Sequence, residues 1–348
     1  MNQEQIQLLL QAPAADGSIP SRQLIETHIS WVILEERFVY KIKKPELLSF
    51  LDFSTLSRRR YFCRREVLLN NRLTEGVYLY VAPVCLENGK VFFCRTAKES
   101  AEVIDYAVVM KRLDPTYHLK ALLKEDVLTT EHMIPLAHKL ASFHKETRVA
   151  KIPASISKLK NEFSDLMGFI PQLQQVGELA FAQTVQQAIV FSYQFLEAYA
   201  GLIDQRSRKG FVRDCHGDLH TGNIFLYPDK PIIFDCIEFN DEFREIDLLE
   251  EVAFLCMDLE CAGREDLSAA FLEAYLLALP CIQHPSDHLL LNYYKLYRAN
   301  IRCKVNLIQS QQQGRLTPGP ELEAARKYAE LMGRYLEVLE GSVQAQEM

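Results

Sequence analysis

Nowhere in the 348 residues does a Gly-x-Gly-x-x-Gly or a Gly-x-x-x-x-Gly-Lys-Ser/Thr run occur, so neither of the familiar glycine-cradled phosphate loops is present. No stretch comes near the about 18 uninterrupted apolar residues of a spanning helix, and no membrane partner is expected. The opening Met-Asn-Gln-Glu-Gln has neither the basic nor the apolar part of a secretory leader, which points to a cytoplasmic protein. The nine cysteines are odd in number and contain no Cys-x-x-Cys pair, arguing against a disulfide framework or a zinc site and for reduced, mostly buried thiols. A net charge of −7 leaves no basic excess for nucleic acid. Arg58, Arg59, Arg60, Arg64, Arg65 and Arg72 make one local basic stretch, read here as the decoration of a helix whose N-cap region is Asp52–Ser54. No internal repeat is evident.

What the chain does contain is concentrated between residues 215 and 235. Cys-His-Gly-Asp-Leu-His-Thr-Gly-Asn-Ile-Phe-Leu places Asp218 five residues before Asn223, and the apolar run Ile232-Ile233-Phe234 ends on Asp235. Ile224–Leu226 and Ile232–Phe234 read as two short strands. The intervening Tyr227–Lys230 reads as a turn, because proline presets φ and Asp229 can bond its own backbone. Such a fold-back brings two carboxylates and a carboxamide to one mouth. Phosphoryl transfer uses that set: one carboxylate orients and deprotonates the attacking hydroxyl, while the other two groups hold magnesium against the nucleotide phosphates. Taken singly, each residue is more readily a turn former, and it is their conjunction that points to chemistry. Gly217-Asp218-Leu219-His220 and Gly222-Asn223 also look like metallophosphoesterase fragments, but they stand almost adjacent instead of widely separated, and His220 reads as loop structure or a substrate contact.

The catalytic loop pattern His-Gly-Asp-x-x-x-x-Asn resembles that of the aminoglycoside phosphotransferase and choline kinase group. The resemblance implies an α+β, bilobal protein-kinase-like fold, with a small lobe of antiparallel sheet plus one helix over residues 1–112 and a mainly helical lobe over 113–348. It implies ATP and Mg2+ as cofactors and a small-molecule hydroxyl as acceptor. Asp218 resembles the catalytic aspartate, His216 a loop brace, and Asn223 and Asp235 the magnesium ligands. Phe38-Val39-Tyr40-Lys41-Ile42 resembles the strand that carries the phosphate lysine. Lys41 is therefore read as contacting nucleotide with Glu66 holding it, while Lys43, on the same strand face, remains a competitor. In place of a glycine-rich loop, Ser30 and backbone amides would meet phosphate. A nucleotide-binding pseudokinase and a metal-dependent phosphoesterase stay open as alternatives.

Further segments resemble an uncharacterised bacterial family of aminoglycoside-phosphotransferase-like proteins: Thr27–Val32, Tyr40–Pro45, Phe50–Ser54 and Phe234–Asn240. Some of those proteins append a P-loop domain, and this sequence is read as ending before one. Around the motifs, Ser30–Leu34, Phe38–Ile42, Tyr78–Val84, Val91–Cys94 and Tyr106–Met110 read as five strands, with Asn88-Gly89 as a hairpin signal. Helical spacing marks residues 119–123, 133–144, 156–170 and 184–203, and Gln-rich residues 308–322 read as a linker. Glu238 either lines the substrate site or pairs with Arg244. Arg298 and Arg302, one helical turn apart, either receive an anionic substrate or salt-bridge their own helix to acidic neighbours. Asp247 reads as a helix N-terminal carboxylate, and His144 as a core or capping residue.

Overall fold

The computed structural model describes residues 1–13, 20–94, 101–150, 155–228, 230–312 and 314–347. A capping box on Asn2 starts α1 (Gln3–Gln11), which buries Ile6 and Leu9. Strands β1 (Gln23–Glu26), β2 (Ser30–Leu34) and β3 (Phe38–Lys43) follow, and then a small hairpin of β4 (Leu47–Leu48) with β5 (Leu51–Asp52). Helix α2 (Leu56–Thr74) is capped by Thr55, whose hydroxyl accepts from the Arg58 amide. Asp52, inside the segment expected to cap it, accepts instead from Ser54. Strands β6 (Tyr78–Glu87) and β7 (Lys90–Phe93) are joined through Asn88 and Gly89, both at positive φ, as the Asn-Gly pair requires.

With β8 (Glu102–Lys111), these form an antiparallel sheet in the order β1-β2-β3-β8-β6-β7. The sheet has six strands where five were expected. The extra strand, β1, is an edge strand whose side chains are largely exposed, so no apolar pattern marks it. Ile42, Trp31, Ile33, Val84 and Ala107 pack with Ile6 and Leu9 of α1. A separate cluster joins Cys63 of α2 to Tyr78, Val108 and Met110.

Beyond β8 the chain is mainly helical: α3 (Leu119–Lys124), α4 (Met133–Glu146), α5 (Ile156–Ser164), α6 (Ile170–Gln175), α7 (Leu179–Ala198) and α8 (Ala200–Arg208). The continuous helix expected over 156–170 is broken by a 3-10 segment at Asp165–Phe169, ahead of Pro171 in the first turn of α6. Four short strands come next: β9 (Val212–Asp214), β10 (Ile224–Leu226), β11 (Pro231–Ile233) and β12 (Glu245–Asp247). They pair β9 with β12 and β10 with β11. Asp229 of the expected turn lies outside the described residues. Helices α9 (Leu248–Cys261), α10 (Glu265–Ala278) and α11 (Pro285–Ser310) lead to a two-residue pair, β13 (Gln311–Gln312) with β14 (Arg315–Leu316), and to α12 (Pro320–Glu347). The expected linker is thus largely structured.

Two compact units emerge. One comprises Met1–Ala121, Asn223–Tyr227 and Ile232–Phe243, and the other comprises Leu122–Gly222, Pro228–Pro231 and Arg244–Met348. The expected boundary at 112 therefore shifts, and segments after Asn223 return to the first unit. They return because Phe225 and Ile232 are apolar members of the Cys63–Tyr78 cluster. Among the described residues no helix is long and apolar enough to cross a membrane. The cysteines are free thiols, all buried except Cys261, which is partly exposed.

Candidate functional site

Alternation along β3 sends Ile42 to the α1 side and both Lys41 and Lys43 toward α2, where Glu66 is buried in the middle of the helix. Lys41 Nζ lies 2.9 Å from Glu66 Oε1, and Lys43 Nζ lies 2.6 Å from Glu66 Oε2. One carboxylate therefore serves two ammonium groups. Lys41 has a second partner in Asp235 Oδ1 at 2.6 Å, and Lys43 has one in Glu238.

The two lysines differ in what surrounds them. The Lys43 side chain is 1% exposed and lies 4.8 Å from the centre of the Phe53 ring, so it is closed in on every side by structure. The Lys41 side chain is 15% exposed, and its partner Asp235 is 41% exposed, which leaves that pair open to a ligand. Burial disfavours the Lys43 ammonium, yet Glu238 and Glu66 hold its pKa above the ordinary lysine value. Burial likewise works against the Glu66 carboxylate, but Lys41 and Lys43 bring it down to about 2.

Asp235 occupies the left-handed region at φ 63°, a conformation that costs a non-glycine residue energy and that is maintained by its surroundings. Tyr78 accepts from the Asp235 amide at 3.2 Å, and Asn70 Oδ1 accepts from the Cys236 amide at 2.9 Å. Asn70 stands one turn after Glu66 on α2, so a single helix face holds both the lysine pair and the segment after β11. Asn223 is buried at the start of β10, and its carbonyl accepts from the Phe234 amide at 3.0 Å. Neither Asn70 nor Tyr78 was singled out from the sequence. Asn70 is a polar residue on the buried face of α2, and that pattern was available as a signal.

In the second unit the segment His216–Thr221 is held largely by α9. The backbone N–H of His216 donates to Glu251 Oε1 at 2.7 Å, and that of Gly217 to Glu251 Oε2 at 3.0 Å. Gly217 has φ 88°, where a side chain would be strained, and its carbonyl accepts from Arg298 at 3.3 Å. At the other end, Thr221 donates its amide to Asp258 Oδ2 at 2.9 Å. Within the loop, His216 Nδ1 accepts from the Asp218 amide at 3.3 Å and His220 Nδ1 accepts from the Gly222 amide at 2.9 Å. His220 Nε2 lies 3.4 Å from Asp218 Oδ2. Burial would raise the Asp218 carboxyl, but neighbouring His220, Arg302 and His216 keep it well below the usual range.

Glu251 and Asp258 went unnoticed in the sequence, although acids inside a helix buried from Leu248 to Leu259 are a signal in themselves. His144, Cys215 and Glu251 bring their potential ligand atoms within 4.8 Å of one another. Both Glu251 oxygens already accept backbone amides, so we assign that cluster to structure.

Several expected roles change. Glu238 pairs with Lys43 and not with Arg244, which meets Asp214 at 2.9 Å, so Glu238 is withdrawn from the substrate contacts. Arg298 is also withdrawn, because Glu250 at 2.8 Å and the Gly217 carbonyl engage it. Ser30 is 1% exposed with its hydroxyl buried, so it cannot meet a phosphate as placed. Asp247 caps α9 through the Leu249 amide and forks onto Arg206 at 2.7 and 2.8 Å, leaving the loop to Glu251. His144 is buried in the core, 2.7 Å from the Tyr275 hydroxyl.

Burial pushes both Glu250 and Glu251 up to about 7, against the opposing pull of Arg298. In the unfolded chain these carboxyls return to about 4.5. Because the folded values are the higher ones, their contribution to stability is fully present below about 4.5 and is lost as pH rises to about 7. Urea unfolding of Glu250→Gln should show a flatter stability profile than wild type across that window, and an unchanged slope would contradict the assignment.

Comparison with known proteins fits this architecture. No family model matches the chain. A choline kinase from Cryptosporidium parvum Iowa II superposes with a TM-score of 0.52 at 12% identity, covering 94% of this chain and 91% of that one. The two chains share a fold. It is thus an α+β, protein-kinase-like fold, as the sequence resemblance implied. Uncharacterised proteins of Mycobacterium tuberculosis (strain H37Rv) and Mycobacterium bovis are each 27% identical over 314 residues. The match takes in 87% of this chain but 60% of theirs, so the chain spans under two thirds of those relatives.

Proposed function

We propose that the chain transfers the terminal phosphoryl group of ATP to a hydroxyl of a small molecule, with Mg2+. The observation that carries this reading is Lys41, the more accessible of the two lysines, held between Glu66 and Asp235 on a kinase fold. A lysine so placed presents a fixed positive charge to nucleotide phosphates, and Glu66 keeps its flexible stem from wandering. Asn223 and Asp235 offer the hard oxygen donors that magnesium prefers, and Asp235 is exposed enough to take up a cation. Bound magnesium would offset the negative charge of the phosphates.

Asp218 would receive the hydroxyl proton of the acceptor as its oxygen bonds to phosphorus and ADP departs. Its depressed pKa makes it a weak base, which suits a loose transition state in which the hydroxyl is oriented first and loses its proton late. Glu251, His216 and Arg298 act as positioning residues, keeping the loop around Asp218 in one shape. A phosphoesterase would need no nucleotide lysine, so the Lys41 arrangement favours transfer over hydrolysis.

Incubating the chain with magnesium ATP and a metabolite panel, with mass detection of a phosphorylated product, tests the reading. Hydrolysis of model phosphomonoesters without ATP would replace it. Asp235→Ala should weaken magnesium-dependent nucleotide binding by at least the roughly tenfold that even indirect metal contacts carry. Calorimetry with magnesium ADP would reveal this, and unaltered binding would remove Asp235 from the metal role.

A further inference from the structure

The acids around the Asp218 loop are already engaged. Asp258 accepts from Thr221 through Oδ2 and from the Tyr328 hydroxyl through Oδ1 at 2.6 Å. Glu250 meets Arg298, Glu251 accepts two loop amides, and Glu260 meets Lys295 at 2.6 Å, Ser268 at 2.6 Å and Tyr335. Asp258, Glu250, Glu251 and Glu260 are thus spent on internal partners and not on an ammonium-bearing acceptor.

Arg302 is in the opposite situation. It stands one turn after Arg298 on α11, and Arg298 touches the Gly217 carbonyl. Its own neighbour Tyr328 is bonded to Asp258, the residue that holds Thr221. Through these neighbours, and through its charge acting on Asp218, Arg302 is tied to the short loop whose two ends, Gly217 and Thr221, flank Asp218. Its side chain makes one hydrogen bond among the described residues, a long one from Nε to the Tyr328 hydroxyl at 3.4 Å, with the guanidinium 5.6 Å from the centre of that ring. The two terminal nitrogens donate to no other group among the described residues, and the side chain is half-buried. A guanidinium fork with open terminal donors, partly shielded from water, matches the paired oxygens of a phosphate or carboxylate. The same charge also acts on Asp218.

We infer that the acceptor is an anionic hydroxyl compound, a phosphorylated or carboxylated small molecule whose charged group is received by Arg302. This inference builds on the kinase reading. It makes Arg302 a specificity determinant, and it stands against a cationic acceptor, which the acidic residues Glu238, Asp241 and Glu242 after Asp235 would by themselves invite. In that stretch, Glu238 is taken by Lys43 and Asp241 by Arg65.

The test uses the full chain with magnesium ATP and three acceptor groups: sugar phosphates with hydroxycarboxylic acids, neutral polyols, and amino alcohols with aminoglycosides. Product should form only in the first group, and its two halves tell phosphate from carboxylate. Arg302→Met should raise KM for that acceptor by about tenfold or more, the scale of a charge-assisted fork, with Arg302→Lys intermediate and ADP affinity as in wild type. Calorimetry with inorganic phosphate in the presence of magnesium ADP should show the same order of affinities. Product confined to neutral or cationic compounds would overturn the inference and leave the kinase reading standing. So would an Arg302→Met variant whose KM and phosphate affinity match wild type. Transfer to no compound at all would end the kinase reading, and the acceptor assignment with it.

Discussion

Asp218→Ala should lower phosphoryl transfer by about 10²- to 10⁴-fold, or about 2.7 to 5.4 kcal/mol at 1.36 per decade, while magnesium ADP still binds. The size follows from its two tasks, orienting the hydroxyl and receiving its proton. Asp218→Asn separates them, since the amide retains an acceptor oxygen but cannot take up the proton at neutral pH. If orientation dominates, as the depressed Asp218 pKa suggests, the asparagine variant should recover part of the lost rate. Steady-state kinetics on the identified acceptor, paired with ADP calorimetry, would check this. Turnover at the wild-type level in Asp218→Ala would exclude the aspartate from the reaction, whatever its neighbours do.

Lys43→Met should destabilise the fold by about 3 to 5 kcal/mol, the cost of removing one partner from a buried charge pair. Glu66 would keep Lys41, but Glu238 would be left buried without its cation and beside a second carboxylate, Glu66. The double variant Lys43→Met with Glu238→Gln should regain much of that loss, because no unpaired charge remains. Lys41→Met should behave oppositely, with little change in urea midpoint and a clear fall in nucleotide affinity, since its buried partner Glu66 keeps Lys43 and its other partner Asp235 is open to water. Equal destabilisation by the two lysine variants, or loss of nucleotide affinity confined to Lys43→Met, would reverse their assignment.

Some of this was legible in the residues. The turn at Asn88-Gly89, the strand over Phe38–Ile42 and the helix around Glu66 all follow from short-range pattern, and the structure has them, the strand one residue longer to Lys43. Edge strand β1 was not legible, because an exposed edge needs only backbone partners and no apolar alternation. Nor was the break at Asp165–Phe169, where helical spacing continues on paper although the backbone tightens before Pro171. The two units were harder still to read. Residues 223–243 lie far along the chain, yet most of them belong to the first unit through Phe225 and Ile232.

The sequence by itself determined which chemistry the loop and its flanking strands could support: two acids and an amide within a short span, and lysines alternating onto one strand face. Those properties depend on neighbours in the chain, and backbone periodicity transmits them directly. Tertiary structure alone decided which lysine is sealed and which is open, that Glu238 is consumed by Lys43 from 195 residues away, and that Arg298 is occupied while the terminal nitrogens of Arg302 have no partner among the described residues. Burial and long-range pairing set those outcomes. Both depend on what packs around a charge, which no local pattern records.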